Sequence, residues 1–463
     1  MSRAKRQRAL SIRTRRAFRD PRAGRNTRER SVTKNIFVIG LNDYNLEKLK
    51  RLRGADDIAF HGLIDPAALY DTEVFDVPAM LAEAEEKLSA FDGSIDAIVG
   101  YMDFPVSTML PILGEKFGVR HTSLEALLKC EHKYWSRVLQ HEVIPENVPA
   151  FAAFDPFDEG ALSKIGEAGL TFPFFVKPIK SSGSRLGFRI DSPEDFDYAT
   201  RRLREDIGTI SEPFNFLLDQ ANLPADIRAI DGQYCLAEQV IGGRQCTLEG
   251  YVKDGKVVPY AIVDSVRYPQ VLSFFYYMYP SKLPDKVQAK MRELAVKVME
   301  HVGFDQSGFN IEFFWDEVQD QIWLLEVNTR IAQAHCDLFE KVDGVSHQQI
   351  MVDVALGNEP DMPWGEGKYK VAGHFFYRVF FIDATITQVP SEEETADALR
   401  KVPDTIIRPQ VHVGMRLSDL PEQDSYSYAL CYVLIGASKQ STLLWNYEQV
   451  MKSLTFEFSD LAD

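Results

Sequence analysis

Apolar positions along the chain recur in two rhythms, and the switch between them outlines the domains. Residues 35–40 (NIFVIG) form a β-branched run closed by glycine, and residues 46–52 after it carry helical spacing, which predicts a β–α start. Residues 95–100 (IDAIVG) repeat the strand pattern, and residues 111–117, followed by Gly118, predict a helix closed by its C-terminal glycine. Residues 35–122 therefore read as a small α/β domain with a parallel sheet. Residues 124–141 are helical in pattern as one stretch, and Pro145 and Pro149 mark a linker.

A different order follows. A strand over 172–177, a Ser/Gly loop, a strand over 187–190, a helix over 193–205 and a strand over 234–240 predict a small α+β lobe. Residues 247–252 and 256–263 predict a hairpin turning at Asp254 and Gly255. Residues 285–301 form a strongly periodic helix before Gly303, and strands over 309–315 and 322–328 are joined by a short acidic turn. The last region, about 366–463, mixes strands (374–382) with a helix (444–453). No internal repeat is visible.

Composition narrows the class. A hydrophobic content of 45% in 463 residues suits several folded domains. No run of about 18 uninterrupted apolar residues is present, and the N-terminus lacks the apolar segment of a secretory signal, so a soluble, cytoplasmic protein is expected. The five cysteines are scattered without C-x-x-C spacing, which argues against a disulfide framework or a structural zinc site. Charge is uneven: residues 1–34 hold thirteen Lys or Arg against Asp20 and Glu29, leaving the rest strongly acidic. That tail is expected to be disordered, either a solvated arm or residues ahead of the true start, with a nucleic-acid role disfavoured.

The sharpest chemical signal is GFNIEFFWDEVQDQIWLLEVNTR, residues 308–330. Strand alternation puts Asn310 and Glu312 on one face, and Glu326 and Asn328 share a face opposite Trp323, Leu325 and Val327. Antiparallel pairing brings Glu312 opposite Glu326, two carboxylates beside an amide oxygen, a ligand set suited to magnesium. Arg330 adds a permanent positive charge two residues on. The same carboxylates could instead line a solvated sheet face. Lys177 emerges from the apolar strand FPFFVKP just before Lys180, Ser181, Ser182, Gly183, Ser184 and Arg185; point charge, hydroxyls and flexible backbone together suit a phosphate. It is not a Walker A loop. Residues 264–279 (DSVRYPQVLSFFYYMY) are unusually aromatic, so Arg267 and the tyrosines are either a substrate-carboxylate pocket or core, and His335 is a further candidate there.

Lys177 before the Ser/Gly loop, E-x-x-I-x-G-R at residues 238–244, Glu312, and E-V-N-T-R at residues 326–330 resemble, in order and spacing, the ATP-grasp superfamily. The resemblance implies an α/β and α+β multidomain fold: a basic tail (1–34), an N-terminal α/β pre-ATP-grasp domain (35–122), an ATP-grasp domain (123–360) with a mobile lid at about 150–240, and a biotin-carboxylase-like α+β domain (361–463). It implies ATP with magnesium, or manganese in its place. Lys133, Lys177 and Ser181, Ser182, Gly183 and Ser184 would contact phosphates, Glu238, Gln239, Val240 and Ile241 adenine, and Gln245, where the family often has Glu, the ribose. Glu312, Glu326 and Asn328 would hold the metal, and Arg330 would stabilise an acyl-phosphate step. Within the superfamily the segment from Thr329 to Gly357 looks like biotin carboxylase relatives, often dimers. Ala334 stands where those carboxylases use a glutamate, so the carboxylate–amine ligases of amino acids are the better match. Carboxylation, ATP-assisted condensation and a non-catalytic ATP-binding role are the alternatives.

Overall fold

The computed structural model describes residues 33–70, 74–181, 186–420 and 427–459. The basic tail through residue 32, and Ser182, Gly183, Ser184 and Arg185 of the expected phosphate loop, lie outside them.

The first domain is a parallel sheet of three strands, β1 (Lys34–Val38), β2 (Ile58–Gly62) and β3 (Ala97–Val99), in the order β2-β1-β3. The helix after β3, Val106–Phe117, starts more than a turn earlier than its periodicity predicts and tolerates Pro111 inside it. It does end at Gly118 in the left-handed region. Parallel strands send their carboxyl ends to one edge, and Asp103 lies on the loop that leaves that edge.

The single helix expected over 124–141 is two helices, Leu124–Glu131 and Lys133–Val143, broken at His132. The His132 ring accepts from the Trp135 backbone N–H (3.2 Å) and bonds the Ile230 carbonyl (2.7 Å), so a tertiary contact and a new N-cap stabilise the break. Glu131 and Lys133 flank it, and both turn toward the same cleft.

A second sheet, in the order β4-β7-β5-β6, holds β4 (Phe151–Phe154), β5 (Phe174–Pro178), β6 (Phe188–Ile190) and β7 (Cys235–Gln239). Its other face is covered by Phe196, Ala199 and Leu203 of helix Pro193–Asp206. Gly243, in the turn after β7, has φ 116°, and a Cβ there would stand 2.3 Å from the Trp315 carbonyl, so only glycine fits where this lobe passes the larger sheet.

That larger sheet has eight strands: β8 (Arg244–Lys253), β9 (Lys256–Arg267), β10 (Phe274–Tyr279), β11 (Ser307–Asp316), β12 (Gln321–Asn328), β13 (Val371–Phe380), β15 (Ile406–Pro409) and β16 (Ser427–Ala437). Their order is β12-β11-β8-β9-β10-β13-β16-β15, so strands beyond residue 361 extend the sheet that carries the acidic hairpin. The short pair β14 (Ile386–Gln388) and β17 (Glu457–Phe458) lies apart. Cys246, Leu248, Ile311 and Phe313 pack under helix Asp285–Val302 through Val287, Met291, Leu294 and Val298. The opposite face carries Gln245, Thr247, Asn310 and Glu312 and, across β9 and β10, packs Ala261, Val263 and Tyr279 against Ile331, Leu338 and Phe339. No helix among the described residues is long and apolar enough to cross a membrane.

The first domain is pinned to the rest by a buried ion pair. Lys48, on helix Asp43–Leu49, bonds Asp337 on helix Cys336–Asp343, with Glu340 at 2.7 Å and the Tyr44 hydroxyl donating to Asp337 at 2.6 Å. Removing one partner strands a charge out of water. Lys48→Ala should lower stability by about 3–5 kcal/mol in urea unfolding, and Lys48→Met with Asp337→Leu should recover part of that loss; equal losses in both variants would mean the charges are not what matters.

Candidate active site

The acidic hairpin forms with the predicted register: Glu312 faces Glu326 and Asn310 faces Asn328. One correction concerns Trp323. A β-bulge at Leu325 shifts the ladder, so Trp323 pairs with Phe314 and falls on the carboxylate face rather than opposite it. The bulge also turns carbonyls out of the ladder, and Arg137 takes them: its Nη1 donates to the Leu324 carbonyl (3.1 Å) and Nη2 to the Leu325 carbonyl (2.5 Å). Its Nε reaches Glu238 on β7, so one guanidinium ties the bulge to the smaller lobe.

Asn328 Nδ2 donates to Asn310 Oδ1 (3.0 Å), and Asn310 Nδ2 donates to the Arg330 carbonyl (2.9 Å). With its amide nitrogen engaged, Asn328 keeps its oxygen as the free acceptor. Burial, together with the facing Glu326, pushes the Glu312 carboxyl up to about 7. Among the described residues no cluster of three or more His, Cys, Asp or Glu is assembled for a metal. Two carboxylates and an amide oxygen fit a hard cation that draws its remaining ligands from phosphate and water.

Glu326 and Asn328 open onto a cleft of about 380 Å³ whose lining does not include Glu312. Its walls bring together Lys133, Lys177, Ser181, Glu238, Glu326 and Asn328 from the sequence expectation. Lys177 Nζ pairs with Glu238 at 2.6 Å; Lys133 Nζ donates to the Ser181 carbonyl (2.8 Å) and lies 3.6 Å from Glu326. Burial lowers the Lys133 ammonium, and Lys177 and Lys180 beside it act in the same direction. Burial alone would raise Glu238, but Arg137 and Lys177 bring it down to about 2. Gln239 ends β7, Val240 and Ile241 follow it, and none of the three is part of the cleft wall.

Three residues, Asp103, Glu131 and Arg137, escaped the motif reading. Lys180 bonds Glu131 and stands 3.3 Å from Asp103; Asp103 gives its other oxygen to Arg330 (3.2 Å), and Thr329 donates to Glu131 at 2.6 Å. Burial would raise Asp103, yet Lys180 and Arg330 hold it well below the usual carboxylate range. Lys180 sits in the Ser/Gly segment and was legible as part of it. Asp103, Glu131 and Arg137 lie in unrelated segments with no motif, and only packing unites them.

Gln245 does not face an open cleft. Its oxygen accepts from Arg267 (Nε 2.8 Å, Nη2 2.6 Å) and its nitrogen donates to Glu312 (2.7 Å), so Arg267 is engaged in holding Gln245 rather than free for a substrate. Arg267 also lies over the rings of Phe274 and Phe314. His335 is buried, bonded to Glu249 at 2.7 Å, with Tyr277 edge-on at 5.0 Å.

Residues 170–337 match the family described as ATP-grasp domain. A D-alanine–D-alanine ligase of Synechococcus sp. (strain CC9605) is 32% identical over 202 residues, 42% of this chain and 52% of that protein. A urea amidolyase of Saccharomyces cerevisiae is 23% identical over 201 residues, 42% of this chain and 10% of that protein. The chain thus spans about half or less of the curated relatives it matches. Among solved structures, an L-amino acid ligase from Bacillus licheniformis superposes with TM-score 0.68 at 15% identity, covering 92% of this chain and 99% of that one. A biotin carboxylase from Campylobacter jejuni gives 0.60 at 15%, covering 91% and 92%. The chain carries an ATP-grasp domain, and its architecture is the fold those two proteins share.

The raised Glu312 carboxyl makes a stability prediction. A carboxylate that rises from about 4.5 to about 7 on folding takes up a proton between those values, so the cation-free fold loses stability as pH climbs through that window and levels off above it. Glu312→Gln should therefore gain on the wild type by about 2 kcal/mol between pH 5 and pH 8, by urea unfolding in a chelator. A difference independent of pH would mean that Glu312 ionises normally in the fold.

Proposed function

We propose that this protein is an ATP-dependent, ADP-forming ligase that activates a carboxylate as an acyl phosphate and joins it to an amine. The observation that carries the reading is Glu326, paired with Glu312 on the acidic hairpin, on the wall of a cleft that also holds Lys133, Lys177 and Lys180. Carboxylates crowded together want a cation, and clustered lysines want a polyanion. A nucleoside triphosphate with a divalent cation satisfies both at once. The similarity to a D-alanine–D-alanine ligase and the shared fold with an L-amino acid ligase favour amino-acid substrates.

In this reading Lys133 and Lys177 neutralise phosphate oxygens once Lys177 exchanges Glu238 for the nucleotide. Glu312, Glu326 and the Asn328 oxygen would hold magnesium, which would supply positive charge to offset that of the phosphates. A carboxylate oxygen attacks the γ-phosphorus, the bond to the ADP oxygen breaks, and Arg330 and Lys180 face the charge that develops. The amine nitrogen then attacks the acyl carbon, phosphate leaves with the bonding pair, and the nitrogen gives up a proton. Asp103 keeps Arg330 and Lys180 aimed into the cleft between turnovers. All five cysteines are buried and unpaired, which suits a reducing, cytoplasmic setting.

Magnesium-dependent release of ADP and phosphate, screened against pools of amino acids and small carboxylates, tests the reading. A responsive pool should lose its stimulation in Glu326→Ala, and Arg330→Ala should reduce kcat by roughly 10²–10³-fold. ATP binding without release in any pool would sink the ligase reading.

A further inference from the structure

Directly after Arg330 the chain turns through residues 331–335 before helix Cys336–Asp343, and that turn has little regular structure of its own beyond the short Gln333–His335 helix. Its backbone groups are met by buried side chains from three other places in the fold. The Ala332 N–H donates to Glu249 Oε2 (3.4 Å), and the Ala332 carbonyl accepts from His347 Nε2 (3.0 Å). The Ala334 carbonyl accepts from His374 Nδ1 (3.0 Å), and His335 Nδ1 donates to Glu249 Oε1 (2.7 Å). Tyr260 completes the set, its hydroxyl 3.0 Å from His347 Nδ1.

These groups are sealed from water: Glu249 and His347 are 0% exposed, His335 2% and His374 5%. Burying four titratable side chains is unfavourable unless each is hydrogen-bonded. Here the bonds define tautomers. A ring nitrogen facing a carbonyl must carry the proton, so His347 donates from Nε2 and accepts the Tyr260 proton on Nδ1, while His374 donates from Nδ1. Burial keeps the rings neutral, pushing His335 down to about 3 and His347 and His374 to about 4. A neutral imidazole in a packed site offers one donor in one direction. His347 is also stacked on Phe339 at 4.4 Å, and His374 on Phe376 at 4.6 Å.

Convergence on one turn is the informative feature. Glu249 lies on β8, Tyr260 on β9, His374 on β13, and His347 precedes helix Gln348–Leu356. An apolar core needs none of them, and a loop whose backbone is bonded by locked side chains is held far more tightly than a free one. The residue at the head of this turn is Arg330, with its carbonyl bonded to Asn310 and its guanidinium against Asp103.

We propose that Glu249, His347 and His374 are positioning residues that clamp the turn after Arg330 and thereby set the direction of its guanidinium; the consequence for catalysis rests on the role given to Arg330 above. The clamp touches no substrate. It acts by removing the freedom of the backbone that carries the arginine, so its loss misplaces a charge without opening the cleft.

Two readouts test this, one of them independent of turnover. Phenylglyoxal modifies accessible guanidinium groups, and peptide mass spectrometry reports Arg330 and Arg137 separately. In Glu249→Gln and His347→Leu, Arg330 should be labelled several-fold faster than in the wild type while buried Arg137 keeps its rate. His347→Gln, which retains an N–H donor toward Ala332, should stay near the wild type. With a responsive substrate pool, kcat should fall roughly 10- to 100-fold in the first two variants with KM for ATP within about twofold. Wild-type labelling of Arg330 in both variants, or Arg137 accelerating in step with it, overturns the clamp whatever the activity. Absence of ADP release in the wild type would instead overturn the ligase reading, and the labelling ratio would still decide the clamp.

Discussion

The structure depends on keeping charges that have been taken out of water in compensated groups. Around the cleft Lys180 meets Glu131 and Asp103, Lys177 and Arg137 meet Glu238, and Arg330 meets Asp103. Each of these groups alone would be expensive to bury. They form two groups, one of Lys180, Glu131, Asp103 and Arg330 and one of Arg137, Lys177 and Glu238, and the partners come from different domains: Asp103 from the parallel-sheet domain, Glu131 and Arg137 from the two helices after it, Glu238 and Lys177 from the smaller lobe. The two groups therefore close the cleft as well as filling it. Glu326 lies 3.6 Å from Lys133, but Glu312 has no ion pair among the described residues, and burial with the facing Glu326 raises its proton affinity instead.

A polyanion with its own cation reverses that imbalance. Lysines now held by glutamates have a stronger partner in phosphate oxygens, and the facing carboxylates gain the positive charge they lack. The existing ion pairs then work as stand-ins that keep the cationic side chains extended into the cleft. Because Arg137 bonds both Glu238 and the carbonyls of the Leu325 bulge, a change at the lysine end is mechanically connected to the hairpin that carries the carboxylates. Gln245 provides a second connection on the far side, between Arg267 and Glu312.

The two faces of the eight-stranded sheet differ. Cys246, Leu248 and Val252 of β8 and Phe309, Ile311 and Phe313 of β11 pack in the core under helix Asp285–Val302; the residues between them include Gln245, Thr247, Glu249, Asn310 and Glu312. That face continues across β9, β10 and β13, where Arg267, Tyr277 and His374 lie beside the apolar Ala261, Val263 and Tyr279. The acidic pair and the buried glutamate–histidine cluster thus share one side of the sheet with an apolar core that includes Val263, Tyr279, Leu338 and Phe339.

What the sequence determined by itself is whatever rests on local period and short spacing. The parallel β–α start, the hairpin at Asp254 and Gly255, the helix before Gly303 and the register of Glu312 on Glu326 are all readable, because strand alternation and a short turn leave few other pairings. The bulge at Leu325 was not readable, since one extra residue in a ladder leaves no mark on an apolar pattern. Nor was the break at His132, which depends on a carbonyl nearly a hundred residues away. Asp103, Glu131, Arg137 and Glu249 look like ordinary surface or strand charges along the chain. Only the tertiary structure decided that they are buried together, because the energy of a desolvated charge is set by the partners that packing brings to it and not by its neighbours in sequence.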